Sequence, residues 1–188
     1  MRLSYWLVEN FSGPACSLKL PGGEKMRLMA YHGVLYLGVP DGHIKIRYGD
    51  KPLQHPLVDE FRRQLPYKID PNGKELLKPF TSITPSDVAA LIKKNTVPDK
   101  WFLQNFLILF TTSVCDSNSN GSANLKILSI LEDLSVVPQL DWGEYIVRSL
   151  VKAVNNWEGV WFHGPVFVVI GILLSICASD FNVCACIY

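Results

Sequence analysis

The sequence lacks every common signature of catalysis. It has no Gly-x-Ser-x-Gly elbow, no His-Glu-x-x-His, no Walker loop and no Gly-x-Gly-x-x-Gly. Histidine is scarce: His32, His43, His55 and His163 are scattered, and no local context sets any of them beside a nucleophile. Ser113 and Cys115, at the end of an apolar segment, are the nucleophiles considered, and neither has a partner base in sequence. An enzyme is therefore the minority reading. No catalytic, cofactor-binding or metal-binding residue is assigned, and no cofactor is expected.

Charge is scarce as well. Asp, Glu, Lys and Arg make up 19% of the residues, against roughly 25% in an average soluble domain. Eighteen basic and 17 acidic residues leave a net charge of +1. A strongly basic nucleic-acid coat or an acidic tail is excluded for the chain as a whole, though a local basic patch is not. Arg62-Arg63, Lys93-Lys94 and Lys45-x-Arg47 are short basic clusters, read as solvated faces.

Cysteine is neither absent nor organised. Cys16, Cys115, Cys177, Cys184 and Cys186 are an odd number without a regular framework, and no signal-peptide pattern opens the sequence. A reducing compartment, nucleus or cytoplasm, is expected. Cys184-x-Cys186 with Cys177 is too tightly spaced for a structural zinc site, and His163 alone does not complete one.

What the sequence does have is apolar side chains, 48% of its 188 residues, enough to build a core and to exclude a disordered chain. Leu18 and Leu20 alternate with Lys19, and Met26 and Leu28 with Arg27, around Gly22-Gly23. This predicts a β-hairpin near residues 16–29. The run 31–37 stops at Gly38-Val39-Pro40, as a helix would. Residues 41–81 are proline-dense and loop-rich, with two helical turns near 58–65 and a turn at Asp70-Pro71-Asn72-Gly73.

Residues 84–174 read as helical. Thr84-Pro85-Ser86-Asp87 opens one helix, and Asp99 caps the next. That helix carries Trp101, Phe102, Leu103, Phe106, Leu107, Ile108, Leu109 and Phe110, with almost no polar face. It is expected at the centre of the core, with Phe106 buried. Leu125, Leu128, Leu131 and Leu134 mark a further helix, and Asp141-Trp142-Gly143-Glu144 resembles a capping box opening another. Glu144 and Arg148 stand at ion-pair spacing on its polar side.

Residues 159–179 contain no charged side chain. Gly164-Pro165 reduces the helical part to 166–178, roughly 20 Å against a hydrocarbon thickness of about 30 Å. A core segment is preferred to a membrane span.

Four phrases occur in a characteristic order. They are Trp6-Leu7-Val8-Glu9-Asn10-Phe11 with Cys16-Ser17-Leu18-Lys19-Leu20, and Leu37-Gly38-Val39-Pro40-Asp41-Gly42. Next comes Trp101-Phe102-Leu103-Gln104-Asn105-Phe106 with Asn120-Gly121 and Lys126-Ile127-Leu128. The last is Asp141-Trp142-Gly143-Glu144-Tyr145-Ile146 through Trp157 to Phe162-His163-Gly164-Pro165. Together, over residues 6–174, they resemble the transposon-derived plant mobile domain, including segments found ahead of SUMO-protease-like cysteine peptidase domains. The aminotransferase-like label given to that family implies a pyridoxal-phosphate fold. Neither its strand–helix alternation nor a Schiff-base lysine in a recognisable setting is seen here.

The expected fold is mainly α, a single helical domain of about five or six helices with a small N-terminal β-hairpin. It would span residues 1–174, with 175–188 an atypical apolar, Cys-rich tail that looks like a premature or alternative end. The resemblance implies a non-enzymatic, nuclear or cytoplasmic domain that contacts protein or nucleic acid. Two alternatives stand beside it. One is the truncated non-catalytic part of a SUMO-protease-like polyprotein, and the other is a small protein anchored in a membrane through 159–179.

Overall fold

The structure is a computed structural model that describes residues 3–20, 22–66, 68–69, 71–95, 97–117, 120–158, 164–165, 167–171 and 174. It is mainly α. In chain order the regular elements are α1 (Leu3–Asn10), β1 (Phe11–Ser12), β2 (Ser17–Lys19), β3 (Lys25–Arg27), α2 (Ala30–Leu37) and α3 (Pro56–Arg62). There follow β4 (Lys68–Ile69), β5 (Glu75–Leu76), α4 (Pro85–Lys94), α5 (Lys100–Phe110) and α6 (Trp142–Asn155). A π-helical turn, Thr111–Cys115, and the 3-10 helices Leu125–Ile130 and Leu134–Gln139 stand between α5 and α6. These elements gather into two compact units, residues 1–45 with 138–188, and residues 46–137.

In the first unit the expected hairpin is one part of a three-stranded antiparallel sheet, ordered β1-β2-β3. Leu18 faces Met26 and Ser17 faces Arg27, and Gly22 and Gly23 turn the chain with φ of 98° and 91°. Only glycine takes such angles without steric cost. Phe11 pairs with Leu18 to add the third strand. Two residues are too few to show a period-two pattern, so sequence alternation could not reveal it. The stretch before it is helix α1, which Asn10 closes by donating from Nδ2 to the Trp6 carbonyl at 2.8 Å.

Helices α2 and α6 pack at glycine. A Cβ on Gly33 would lie 3.2 Å from the Gly143 Cα, and one on Gly143 would overlap the carbonyl oxygen of Ala30. Backbone therefore meets backbone at this crossing, which no other side chain would permit. Asp141 caps α6 by accepting from the Glu144 amide at 2.8 Å. Trp142, Tyr145, Ile146, Ser149 and Leu150 form its buried face. Glu144 and Arg148 make the expected ion pair at 3.5 Å. Residues 167–171 are helical, with Val168 and Val169 buried, and a Cβ on Gly171 would lie 3.1 Å from Tyr36. The rest of the uncharged run, 159–163, 166, 172–173 and 175–179, lies outside the described residues, as does the tail to 188.

In the second unit, α4 opens with a complete capping box. Thr84 Oγ1 accepts from the Asp87 amide at 3.3 Å, and Asp87 Oδ2 accepts from the Thr84 amide at 2.7 Å. Asp99 caps α5 through the Phe102 amide at 2.8 Å. Directly after Phe110, over Thr111–Cys115, the helix is wider than α. Thr111 donates to the carbonyls of Leu107 and Ile108, Thr112 donates to Ile108, and the Asp116 amide reaches back five residues to Thr111. Hydroxyls that compete for helix carbonyls favour such a widened turn.

The expected leucine helix is of the 3-10 kind and comes in two pieces, residues 125–130 and 134–139. Spacing of three fits three residues per turn, which stacks Leu125, Leu128 and Leu131 in one buried row. The proline-dense segment holds α3 and a hairpin of β4 and β5, with Gly73 at φ 80° in its turn.

Candidate functional site

The nucleophiles considered in the sequence are poorly placed for attack. Cys115 is buried at the end of the π-helical turn. Burial pushes its thiol well above the ordinary range, and the negative charge of Asp116 adds to the rise. A thiol kept protonated is inert as a nucleophile. Ser113, two residues earlier, is exposed. Cys16 is half-buried and sits at φ 45°, with its Sγ donating to the Leu28 carbonyl at 3.4 Å. Burial raises its pKa too, and Arg27 opposes that rise only in part.

Two of the histidines serve the backbone. His32 Nδ1 accepts from the Met29 amide at 2.9 Å at the start of α2, and His55 Nδ1 accepts from the Leu57 amide at 3.3 Å as the cap of α3. His43 is exposed, and His163 lies outside the described residues with Cys177, Cys184 and Cys186. Among the described residues no group of three or more His, Cys, Asp or Glu could hold a metal.

Two recesses stand out among the described residues. One, of about 300 Å³ in the first unit, is lined by Cys16, Arg27, Leu28, Glu144 and Arg148 among others. The second, of about 270 Å³, lies in the second unit against Phe80, Thr81, Asn120, Ser122 and Lys126. Both stand at or below the lower end of the roughly 300–1,000 Å³ typical of ligand pockets. Neither brings a histidine beside a nucleophile.

The unusual surface is on α5, and it reverses the sequence expectation. Gln104 is 0% exposed and Asn105 1%, while Phe106, expected at the centre of the core, is 48% exposed. The inversion has a hydrogen-bonding cause. Gln104 Nε2 donates to the Leu131 carbonyl at 3.0 Å, and Asn105 Nδ2 donates to Gln64 Oε1 at 3.4 Å. Leu131 is buried and Gln64 half-buried, so the amides turn inward with Leu107 and Ile108. The positions four residues apart on the other side, Phe102, Phe106 and Phe110, are left at half-buried or exposed sites. The Phe106 and Phe110 rings are nearly parallel, 12° apart in plane with centroids 6.4 Å apart.

Helix α4 packs on α5, and the two are joined by a turn that Asn95 braces through a 2.8 Å bond to Asp99. Lys93, Lys94 and Lys100 are exposed around this turn, and none forms an ion pair among the described residues. The acids nearby are engaged. Lys78 Nζ stands 2.7 Å from Asp87 Oδ2. Burial pushes the Asp87 carboxyl upward, but hydrogen bonds from Lys78 and Thr84 outweigh it and hold the group below its ordinary value. The Phe102 amide, opposed weakly by desolvation and helped by Asn95, lowers Asp99 in the same way. Helix α5 itself contains no acid.

Among the described residues no helix is long and apolar enough to cross a membrane. No curated protein and no solved structure matches the chain. One family model matches residues 1–170; its description is "Domain of unknown function (DUF8566)".

Proposed function

The chain belongs to the DUF8566 family of unknown function, and from that premise we propose that it is a non-enzymatic contact domain. It is of the kind carried by plant mobile elements, acts by binding protein or nucleic acid, and works in the nucleus or cytoplasm. The resemblance over residues 6–174 supports the mobile-element origin. The inverted polarity of α5 carries the contact reading: a helix that buries two amides and leaves Phe106 exposed, with Phe102 and Phe110 half-buried beside it, presents a surface for something other than its own core. The protonated, buried thiol of Cys115 supports the non-enzymatic part.

Paired substitutions on α5 test this reading. Ile108 is fully buried, so Ile108→Ala is expected to cost about 2–5 kcal/mol in urea unfolding. Phe106→Ala is expected to cost about 1 kcal/mol, since roughly half of the side chain's burial energy is at stake. A loss of 3 kcal/mol or more from Phe106→Ala would show that the outer stripe is packed, and the contact reading would lose its support. Cleavage of a SUMO-conjugated substrate that disappears on Cys16→Ala or Cys115→Ala would overturn the non-enzymatic reading.

A further inference from the structure

We infer that the outer face of α5, with the lysines at the α4–α5 turn, is a docking surface for single-stranded nucleic acid. The inference rests on the contact reading and names its partner. Three observations carry it. The first is the stripe Phe102, Phe106 and Phe110, whose last two rings share one orientation. Aromatic rings at a surface stack unpaired bases without regard to sequence, because every base has a π-face. A duplex keeps its bases stacked on one another and offers none to such rings.

The second observation is charge. Lys93 and Lys94 close α4 and Lys100 opens α5, two residues before Phe102, and all three are exposed without an acidic partner among the described residues. The third is what is missing from the same surface. Helix α5 has no Asp or Glu and Asp87 is paired with Lys78, so Asp99 in the turn is the carboxylate set against the three lysines, which leaves a local charge of +2. A phosphate backbone entering over the turn therefore meets a net positive charge first and aromatic rings next. A purely apolar partner would gain nothing from the lysines. The chain's net charge of only +1 fits a short, local footprint rather than a general polyanion coat.

Fluorescence anisotropy with a short labelled oligothymidylate, the full chain and low salt is the test. Binding is expected, with log K falling against log salt at a slope of about −2, from about −0.7 per phosphate for three lysines. Phe106→Ala is expected to weaken it about 5- to 150-fold, the loss of one stacked base. The double variant Lys93→Gln, Lys94→Gln is expected to flatten the salt slope while leaving the fold, checked by circular dichroism, unchanged. Because Phe106 is half-exposed, Phe106→Ala leaves a folded protein to measure. Absence of binding, equal binding by Phe106→Ala, or equal affinity for the hybridised duplex would each overturn the inference. If the oligonucleotide fails to bind but Phe106→Ala abolishes a self-association seen by sedimentation, the contact reading survives and its partner is a second copy of the chain.

Discussion

Replacing Gly143 by Ala adds one methyl group at the point where α6 meets α2. Its position is fixed by the backbone: beyond overlapping the Ala30 carbonyl oxygen, it would stand 2.8 Å from the Ala30 carbonyl carbon and 3.1 Å from its Cα. None of these atoms belongs to a side chain that could rotate away, so the helices must separate. Overpacking of this kind costs about 1–3 kcal/mol. The gain in helix propensity from Gly to Ala opposes it by up to about 1 kcal/mol, less in the first turn. The net expectation is a loss of about 1–2 kcal/mol, or roughly 2–8 °C in melting temperature for a chain of this size. Gly49 supplies the control, because a Cβ there meets nothing within 4 Å and its φ is not in the left-handed region. Gly49→Ala should be neutral or stabilise by about 0.4–1 kcal/mol through the unfolded chain. Thermal unfolding of both variants decides the matter. If Gly143→Ala melted with or above Gly49→Ala, the close crossing of α2 and α6 would be wrong.

Other outcomes follow from single sites. Asp87 has a folded pKa below its ordinary 3.8, so its contribution is complete above that value and is lost as pH falls through the lower folded one. Asp87→Asn should therefore reduce stability at neutral pH and flatten the acid limb of a urea-midpoint profile below pH 3.8; an unchanged limb would contradict the pairing. Val169→Asp places an unpaired carboxylate at a fully buried position and should unfold the first unit, whereas a membrane anchor would leave a folded protein with weaker membrane association. Cys115 should resist alkylation in the native chain at mildly alkaline pH and react fully in urea, as read by peptide mass mapping; rapid native labelling would contradict its burial.

The features that could be read from sequence are those decided within a few residues. Thr84, Asp99 and Asp141 accept amide hydrogen bonds three residues ahead, and Gly22, Gly23 and Gly38 supply positive φ, so each acts where its own neighbours require it. The facing of α5 was not legible, because hydrophobicity cannot choose a face when nearly every position is apolar. The choice falls to two amides whose partners, Leu131 and Gln64, are 27 and 41 residues distant. The leucines at 125, 128 and 131 mark a helix in sequence, and their spacing of three suits 3-10 geometry better than α. Gly33 and Gly143 likewise look like ordinary helix-weakening residues until two backbones are brought together. The adjacent amides Gln104 and Asn105 inside an apolar run were the one local hint that this helix had a polar interior side.

Photo-crosslinking tests the central claim most directly. The full chain, irradiated with a single-stranded oligonucleotide carrying bromouracil and then digested, reports by mass spectrometry which peptide touched a base. The expected crosslinks fall within residues 100–110, centred on Phe106, and disappear when unlabelled single strand competes. Crosslinks confined to residues 16–30, around Cys16 and Arg27, or none above the level of a duplex probe, would contradict a contact surface on α5.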